Sequence, residues 1–283
     1  MPVSVIIPTL NAGDRLEELL SSLLFQETKP LEIIIIDSSS EDNTLEIAER
    51  LGAKVIVIPR ESFNHGKTRN MAAGEACGDI LAFMTQDALP YDSTMLGNLV
   101  APLCSPGIAA SYGRQVPRAD ASPLEVFARR FNYPDTPFTK GKEDIPTLGI
   151  KTFFFSNVCS AVRKDFFLAA GMFPEGVRSN EDMLLAARFI LSGFKISYLP
   201  GAKVIHSHNY SILRQFRRYY NTASAFRKNA WILNYGRPDG EGKRFVREQM
   251  RFLLEEHRYA LLPYVFLESL AKYAGYRIGL LAG

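Results

Sequence analysis

The chain has 283 residues, 33 basic and 30 acidic side chains, a net charge of +3 and a hydrophobic fraction of 47%. These values exclude a disordered, collagenous or disulfide-scaffold chain, and they leave one large domain or one domain with a small accessory piece. So mild a positive charge gives no ground for a nucleic-acid partner.

The charge is unevenly spread. Residues 211–283 hold 13 Lys and Arg against 6 Asp and Glu, so the first 210 residues are net acidic and the last stretch is basic. Cys77, Cys104 and Cys159 are widely separated and lack C-x-x-C spacing, which argues against a zinc site or a disulfide framework and fits a reducing compartment. Residues 1–8 have neither a basic leader nor a long apolar stretch, so no signal peptide is expected there. No uncharged apolar run reaches the roughly 18 residues of a membrane span.

Short apolar runs alternate with helical patterns through the first part of the chain. Residues 3–7 form a run closed by Pro8. Leu16, Leu19, Leu20, Leu23 and Leu24 then recur with the period of one helix face. A second run covers 33–36, and Ile47, Ala48 and Leu51 mark a second helix. Runs at 55–58 and 80–84 enclose a helix over 68–76. This alternation predicts βαβ units and a mostly parallel sheet. Farther on, 157–162 reads as a strand, 165–170 as a short helix and 171–176 as a turn. A helix opens at Asn180-Glu181-Asp182 and runs to residue 191. Two short strands follow at 195–199 and 203–205, and the chain is helical beyond them.

Parallel sheets bind ligands at the carboxyl ends of their strands. The residues there are Pro8-Thr9-Leu10-Asn11, Asp37-Ser38-Ser39-Ser40, Pro59-Arg60 and Thr85-Gln86-Asp87. Asp87, with no basic residue after it, suits a hard divalent cation; a cap for a helix near Ser93 is the alternative, made awkward by Pro90. Glu181 and Asp182 could act as a general base or merely stabilise a helix N-terminus, with Asn180 as its cap. His206 and His208, two apart after a strand, would face one side and could ligate metal or contact phosphate, a satisfied core histidine being the alternative for either. His65 suits an anionic ligand, whereas Arg69 and Asn70 fit either that role or a surface helix face. Gly66-Lys67-Thr68 is no phosphate loop, because Glu61 stands where that motif needs glycine.

Two stretches resemble the opening of family-2 inverting glycosyltransferases with a GT-A fold: Val3-Ser4-Val5-Ile6-Ile7-Pro8-Thr9-Leu10-Asn11 and Ile36-Asp37-Ser38-Ser39-Ser40-Glu41-Asp42-Asn43-Thr44. Gly171-Met172-Phe173, Asn180-Glu181-Asp182 and Lys203-Val204-Ile205-His206 resemble the acceptor half of that family. Phe63-Asn64-His65-Gly66-Lys67-Thr68-Arg69-Asn70 with Thr85-Gln86-Asp87-Ala88-Leu89-Pro90 is similar to the bacterial rhamnosyltransferase branch.

The resemblance implies a catalytic domain over 1–210, with a nucleotide-sugar half to residue 115 and an acceptor half from 116, and a helical region over 211–283. It implies that Pro8, Thr9, Asn11, Asp37, Ser39, His65, Arg69 and Gln86 bind the donor, Asp37 through the base. Asp87, with His206 and His208, would hold Mg2+ or Mn2+, and Asp182 beside Glu181 would be the general base. The implied donor is dTDP-rhamnose, and the implied acceptor is a glycan or lipid-linked glycan of the cell surface. The implied location is the cytoplasm, with peripheral contact to the inner membrane. Thr85 replaces the first aspartate of the family's D-x-D, which leaves the metal more dependent on the substrate diphosphate. A UDP-sugar donor and a non-catalytic scaffold are the competing expectations; a pyrophosphorylase would need a glycine-rich first loop that Pro8-Thr9-Leu10-Asn11-Ala12-Gly13 does not supply.

Overall fold

A computed structural model describes residues 1–236 and 239–282. Its strands are β1 (Val3–Thr9), β2 (Glu32–Asp37), β3 (Lys54–Val57), β4 (Ile80–Met84), β5 (Leu89–Pro90), β6 (Ile108–Val116), β7 (Phe138–Lys140), β8 (Cys159–Arg163) and β9 (Lys195–Ile205). Helices α1 (Gly13–Leu24), α2 (Thr44–Arg50), α3 (His65–Glu75), α4 (Met95–Val100) and α5 (Pro123–Asn132) are followed by α6 (Ile145–Leu148), α7 (Lys164–Ala169) and α8 (Glu181–Leu191). The chain closes with α9 (Ile212–Lys228), α10 (Asp239–Glu255) and α11 (Leu262–Leu281).

All nine strands share one sheet in the order β3-β2-β1-β4-β8-β6-β9-β5, with β7 paired to β9. The parallel arrangement expected from sequence holds over β3-β2-β1-β4. Beyond β4 the sheet is mixed, since β8 runs antiparallel to both β4 and β6 while β6 and β9 are parallel. The strands expected at 195–199 and 203–205 are one strand, whose pairing with β6 shifts register between Gly113 and Arg114. Pro90 sits in the short β5, at the sheet edge where a residue without N–H is tolerated.

The apolar runs are continuous because β1, β2 and β4 are covered on both faces. Alternate side chains go to opposite sides. Val3, Val5 and Ile7 pack with Leu16, Leu19, Leu20 and Leu23 of α1, whereas Ile6, Ile34 and Phe83 pack with Ala72 and Ala73 of α3. Leu24, expected on the buried face of α1, is exposed at the helix end. Ala225, Phe226 and Ile232 join the core of the α3 side, and Leu124, Leu253 and Val265 form a small separate cluster.

Helices α9 and α11 touch almost backbone to backbone. A Cβ on Gly275 would lie 2.3 Å from the Phe216 carbonyl oxygen, and one on Gly279 would lie 2.4 Å from that of Tyr220. Two glycines four apart thus clear a lane along α11 that any side chain would block. Gly279→Leu is therefore expected to force the helices apart at a cost of roughly 1–3 kcal/mol, read as a lowered Tm; an unchanged Tm would contradict this packing.

Candidate active site

Strand order reverses direction about β1, and the loops after β1, β2 and β4 converge there. They enclose a cavity of about 370 Å3 lined by Pro8, Thr9, Ser38, His65, Arg69 and Gln86, with Arg60, Phe63 and Thr85 completing its wall. Ser38 Oγ, Thr85 Oγ1 and Arg69 Nε are buried here without any hydrogen-bond partner. Buried polar atoms are nearly always paired, so three orphans around one cavity mark a place for a polar ligand.

Hydrogen bonds among the loops brace this cavity. Asp37 is fully buried, and its carboxylate accepts hydrogen bonds from Thr9 Oγ1 at 2.8 Å, Ser40 N at 2.7 Å and Ser40 Oγ at 2.6 Å. Gln86 bridges two loops, accepting from Leu10 N at 2.7 Å and donating to Leu10 O at 3.1 Å. Asn11 accepts from Glu41 N, and Ser39 Oγ donates to Ile58 O. Asn11, Ser39 and Asn180 all adopt left-handed backbone, with φ of 47°, 59° and 64°. Such conformations persist only where the surroundings hold them.

Helix α3 docks on the second half of the chain. Asn64 caps it by accepting from Gly66 N and Lys67 N at 3.0 Å, and donates through Nδ2 to Val177 O at 2.8 Å. Gly66 lies against the Pro174 carbonyl, where a Cβ would come within 2.5 Å. Asn70 exchanges two hydrogen bonds with the Phe173 backbone. Arg69 and Asn70 are therefore not a surface face: Arg69 is 3% exposed and pairs with Glu181 at 3.2 Å. Removing either partner of such a buried pair costs about 3–5 kcal/mol. Burial holds the His65 ring below its ordinary pKa, against the opposing charge of Glu181.

Asp182 follows Glu181 at the start of α8. Its carboxylate accepts from Asn157 N at 3.2 Å, while Asn157 Nδ2 donates to Glu181 at 3.4 Å. Burial and the adjacent Glu181 charge push the Asp182 carboxyl up to about 7. A carboxylate poised there suits proton abstraction at neutral pH. Asn180 occupies the N-cap position but its side chain makes no cap bond; left-handed backbone turns it away, and it accepts from Thr222 of α9 at 3.4 Å.

Asp87 does not cap a helix. His206 Nε2 lies 3.5 Å from one of its oxygens and His208 Nε2 3.2 Å from the other. The three ligand atoms fall within 4.8 Å of one another. Both histidines lie just past the end of β9, so the loop, not strand alternation, brings them together. Burial would raise the Asp87 carboxyl, but hydrogen bonds and charge from the two histidines hold it well below the usual carboxylate range. Burial lowers the His206 pKa, which favours the neutral ring that metals require.

Two residues that the sequence did not single out fix that ring. Gln115 Oε1 accepts from Arg129 Nη1 at 2.6 Å and faces His206 Nδ1 at 2.9 Å. As an acceptor toward both, it favours a proton on Nδ1, so a cation at Nε2 would take the place of the proton that this nitrogen otherwise shares with Asp87. One carboxylate oxygen with two imidazole nitrogens fits Mn2+ and other borderline cations better than the all-oxygen sites typical of Mg2+. The signal for Gln115 was only its place near the end of a strand, which an irregular stretch of sequence concealed.

The fold is that of the GT-A glycosyltransferases, an α/β sheet with a C-terminal helical region. Across 98% of this chain it superposes on 86% of the mannosyltransferase PcManGT of Pyrobaculum calidifontis in complex with GDP-Man and Mn2+, with a TM-score of 0.68 at 18% identity. The S. aureus TarS 1–349 complex with UDP-GlcNAc aligns over the whole chain and 91% of its own length, with a TM-score of 0.60 at 18% identity. Residues 4–169 match glycosyl transferase family 2, and the chain belongs to that family. It is 41% identical to the O-antigen chain rhamnosyltransferase RfbN of Salmonella typhimurium over 99% of this chain and 90% of that protein. It is 42% identical to the O-antigen chain rhamnosyltransferase WbaN of Salmonella anatum over 98% and 88%.

Loss of an outer hydrogen-bond partner typically weakens a metal site about 10- to 100-fold. Gln115→Leu is expected to weaken Mn2+ binding by that factor in an electron paramagnetic resonance titration while Asp87, His206 and His208 stay in place. Undiminished affinity would remove Gln115 from the metal centre.

Proposed function

We propose that this family-2 glycosyltransferase transfers L-rhamnose from dTDP-rhamnose to a cell-surface glycan carried on a lipid. The observation that carries the reading is the nearly full-length similarity to two O-antigen chain rhamnosyltransferases. Residues 1–210 would carry the chemistry, and 211–283 would serve the acceptor and the membrane.

The nucleotide would occupy the 370 Å3 cavity, framed by Pro8 and Thr9, with Asn11 and Ser39 bracing the loops beside it. Ser38, Thr85 and Arg69 offer it their unpartnered atoms, and His65 faces it from α3. Asp37 works from beneath by fixing Thr9 and Ser40, and Gln86 by tying the loop after β4 to Leu10. Asp87, His206 and His208 would hold Mg2+ or Mn2+, which would supply positive charge to the departing nucleoside diphosphate. Asp182 accepts the proton of the acceptor hydroxyl as that oxygen attacks the anomeric carbon opposite the leaving group. One displacement inverts the centre. Glu181 stays paired to Arg69 and raises the Asp182 pKa by its charge.

A peripheral position at the cytoplasmic face of the inner membrane is part of this reading. No helix among the described residues is long and apolar enough to cross a membrane. Helix α11 nevertheless exposes Phe266, Leu267, Leu270, Tyr273, Ile278 and Leu281. Spacings of three, four and seven gather them on one side of the helix. Basic residues near anionic lipid add ~1 kcal/mol each, and residues 211–283 are rich in them.

Asp182→Asn is expected to abolish transfer while dTDP and dTDP-rhamnose still raise the Tm in the presence of Mn2+. Unchanged turnover would refute the base. A base must be deprotonated to act, so wild-type kcat/KM should rise with pH through about 7 and then level off. A Tm rise with UDP but not dTDP would keep the family and discard the donor. Phe266→Ser with Leu270→Ser should reduce flotation with phosphatidylglycerol vesicles; equal flotation would count against membrane docking.

A further inference from the structure

A second cavity among the described residues lies apart from the one beside β1. It measures about 600 Å3 and is walled by α5, α9, α10 and α11 together with the segment that follows His208. That volume is typical of ligand pockets, roughly 300–1,000 Å3. His208 lines this cavity and also belongs to the Asp87 cluster, so an occupant ends beside the reacting centre.

Its polar groups are unusual in being buried and incomplete. Gln249 is 1% exposed and Gln215 7%, and the Oε1 atom of each has no hydrogen-bond partner. Gln215 cannot turn to hide its oxygen. Its Nε2 donates to Glu268 at 3.0 Å, and Glu268 is held by Lys272 at 3.0 Å. The result is a fixed carbonyl acceptor on the cavity wall. An unmet acceptor of this kind calls for a donor from outside the chain.

The surrounding charges define that donor. The carboxylates of Glu125, Glu241 and Glu268 line the cavity, and each has its own basic partner in Arg129, Lys151 and Lys272. Neutral amide acceptors beside carboxylates that are already paired suit neutral hydroxyl donors, with the exposed Arg218 as a further cation at the wall. Tyr210, Tyr219 and Tyr264 add aromatic surface with polar tips, and Tyr210 stacks on the His208 ring with 4.9 Å between centroids. Hydroxyls over an apolar ring face are the chemistry of a saccharide. Helix α9, which carries Gln215, also reaches the catalytic segment through the Thr222–Asn180 hydrogen bond.

We propose that this cavity is the acceptor subsite, where an oligosaccharide segment of the acceptor lies with its hydroxyls on Gln215 and Gln249 and its reacting end beside His208. The inference rests on the glycosyltransferase reading and names the part of the acceptor that the protein grips. The ligand is a neutral polyol of extended length.

Gln249→Leu separates this role from a structural one. Replacing an unpartnered buried amide by an apolar side chain of similar size should leave Tm unchanged or raise it. The same change should weaken binding of rhamnose-containing and other neutral trisaccharides by about threefold to tenfold, the worth of one hydrogen bond. Saturation-transfer NMR with these sugars on the full chain reads that loss, and the Tm rise with dTDP reads the nucleotide site separately. Ala128→Phe, which fills the cavity from α5, is the second variant and should suppress the same signals. Trisaccharide signals that survive both changes, or no trisaccharide binding to the wild-type chain that still responds to dTDP, would overturn the subsite alone. Absence of any response to nucleotide or sugar would overturn the glycosyltransferase reading with it.

Discussion

The buried pair between Arg69 and Glu181 is the constraint on which the site depends. It joins α3, which borders the cavity beside β1, to the first turn of α8, which carries Asp182. Two opposite charges withdrawn from water are tolerable only when matched, so the pairing fixes how those halves meet. Its consequences run outward in both directions. On one side, α3 presents His65 and the unpartnered Arg69 Nε to the cavity. On the other, Glu181 lies next to Asp182 and makes its ionisation costlier. The same ion pair therefore sets the cavity wall and the ionisation of Asp182.

The cluster of Asp87, His206 and His208 is built on a separate principle. Asp87 comes from the end of a parallel strand, whereas His206 and His208 come from the loop after a strand in the mixed half. Gln115 and Arg129 hold His206 from below and favour a proton on its Nδ1. The three side chains are thus arranged by hydrogen bonds beforehand, which would limit the reorganisation that binding a cation requires.

Much of the first half was legible in sequence because strands buried on both faces leave unbroken apolar runs, and β4 spans 80–84 as read. Asp87, His206 and His208 were also legible, as carboxylate and imidazoles placed after strands. The mixed half was harder. β7 has three residues and β5 two, too short to show a period. Residues 63–70 show the limit most clearly. Their side-chain types suggested an anion site, yet Asn64, Gly66 and Asn70 spend their contacts on residues 173–177. That pairing is a long-range fit between two stretches, which no local pattern announces. Orphaned atoms such as Ser38 Oγ and Gln249 Oε1 are invisible in sequence for the same reason, since an unmet hydrogen bond is a property of the packed surroundings.

The glycine lane between α9 and α11 divides the helical region into a fixed inside and a free outside. Where two backbones meet at Phe216 and Tyr220, no larger residue fits, so the relative position of the helices is set by the main chain itself. The outward side of α11 takes no part in that contact. Its side chains can be exchanged for others of different size or polarity without disturbing the α9 positions that hold Gln215 and Thr222. The exterior of this region is thus open to evolutionary retuning, while the register of the scaffold beneath it is not.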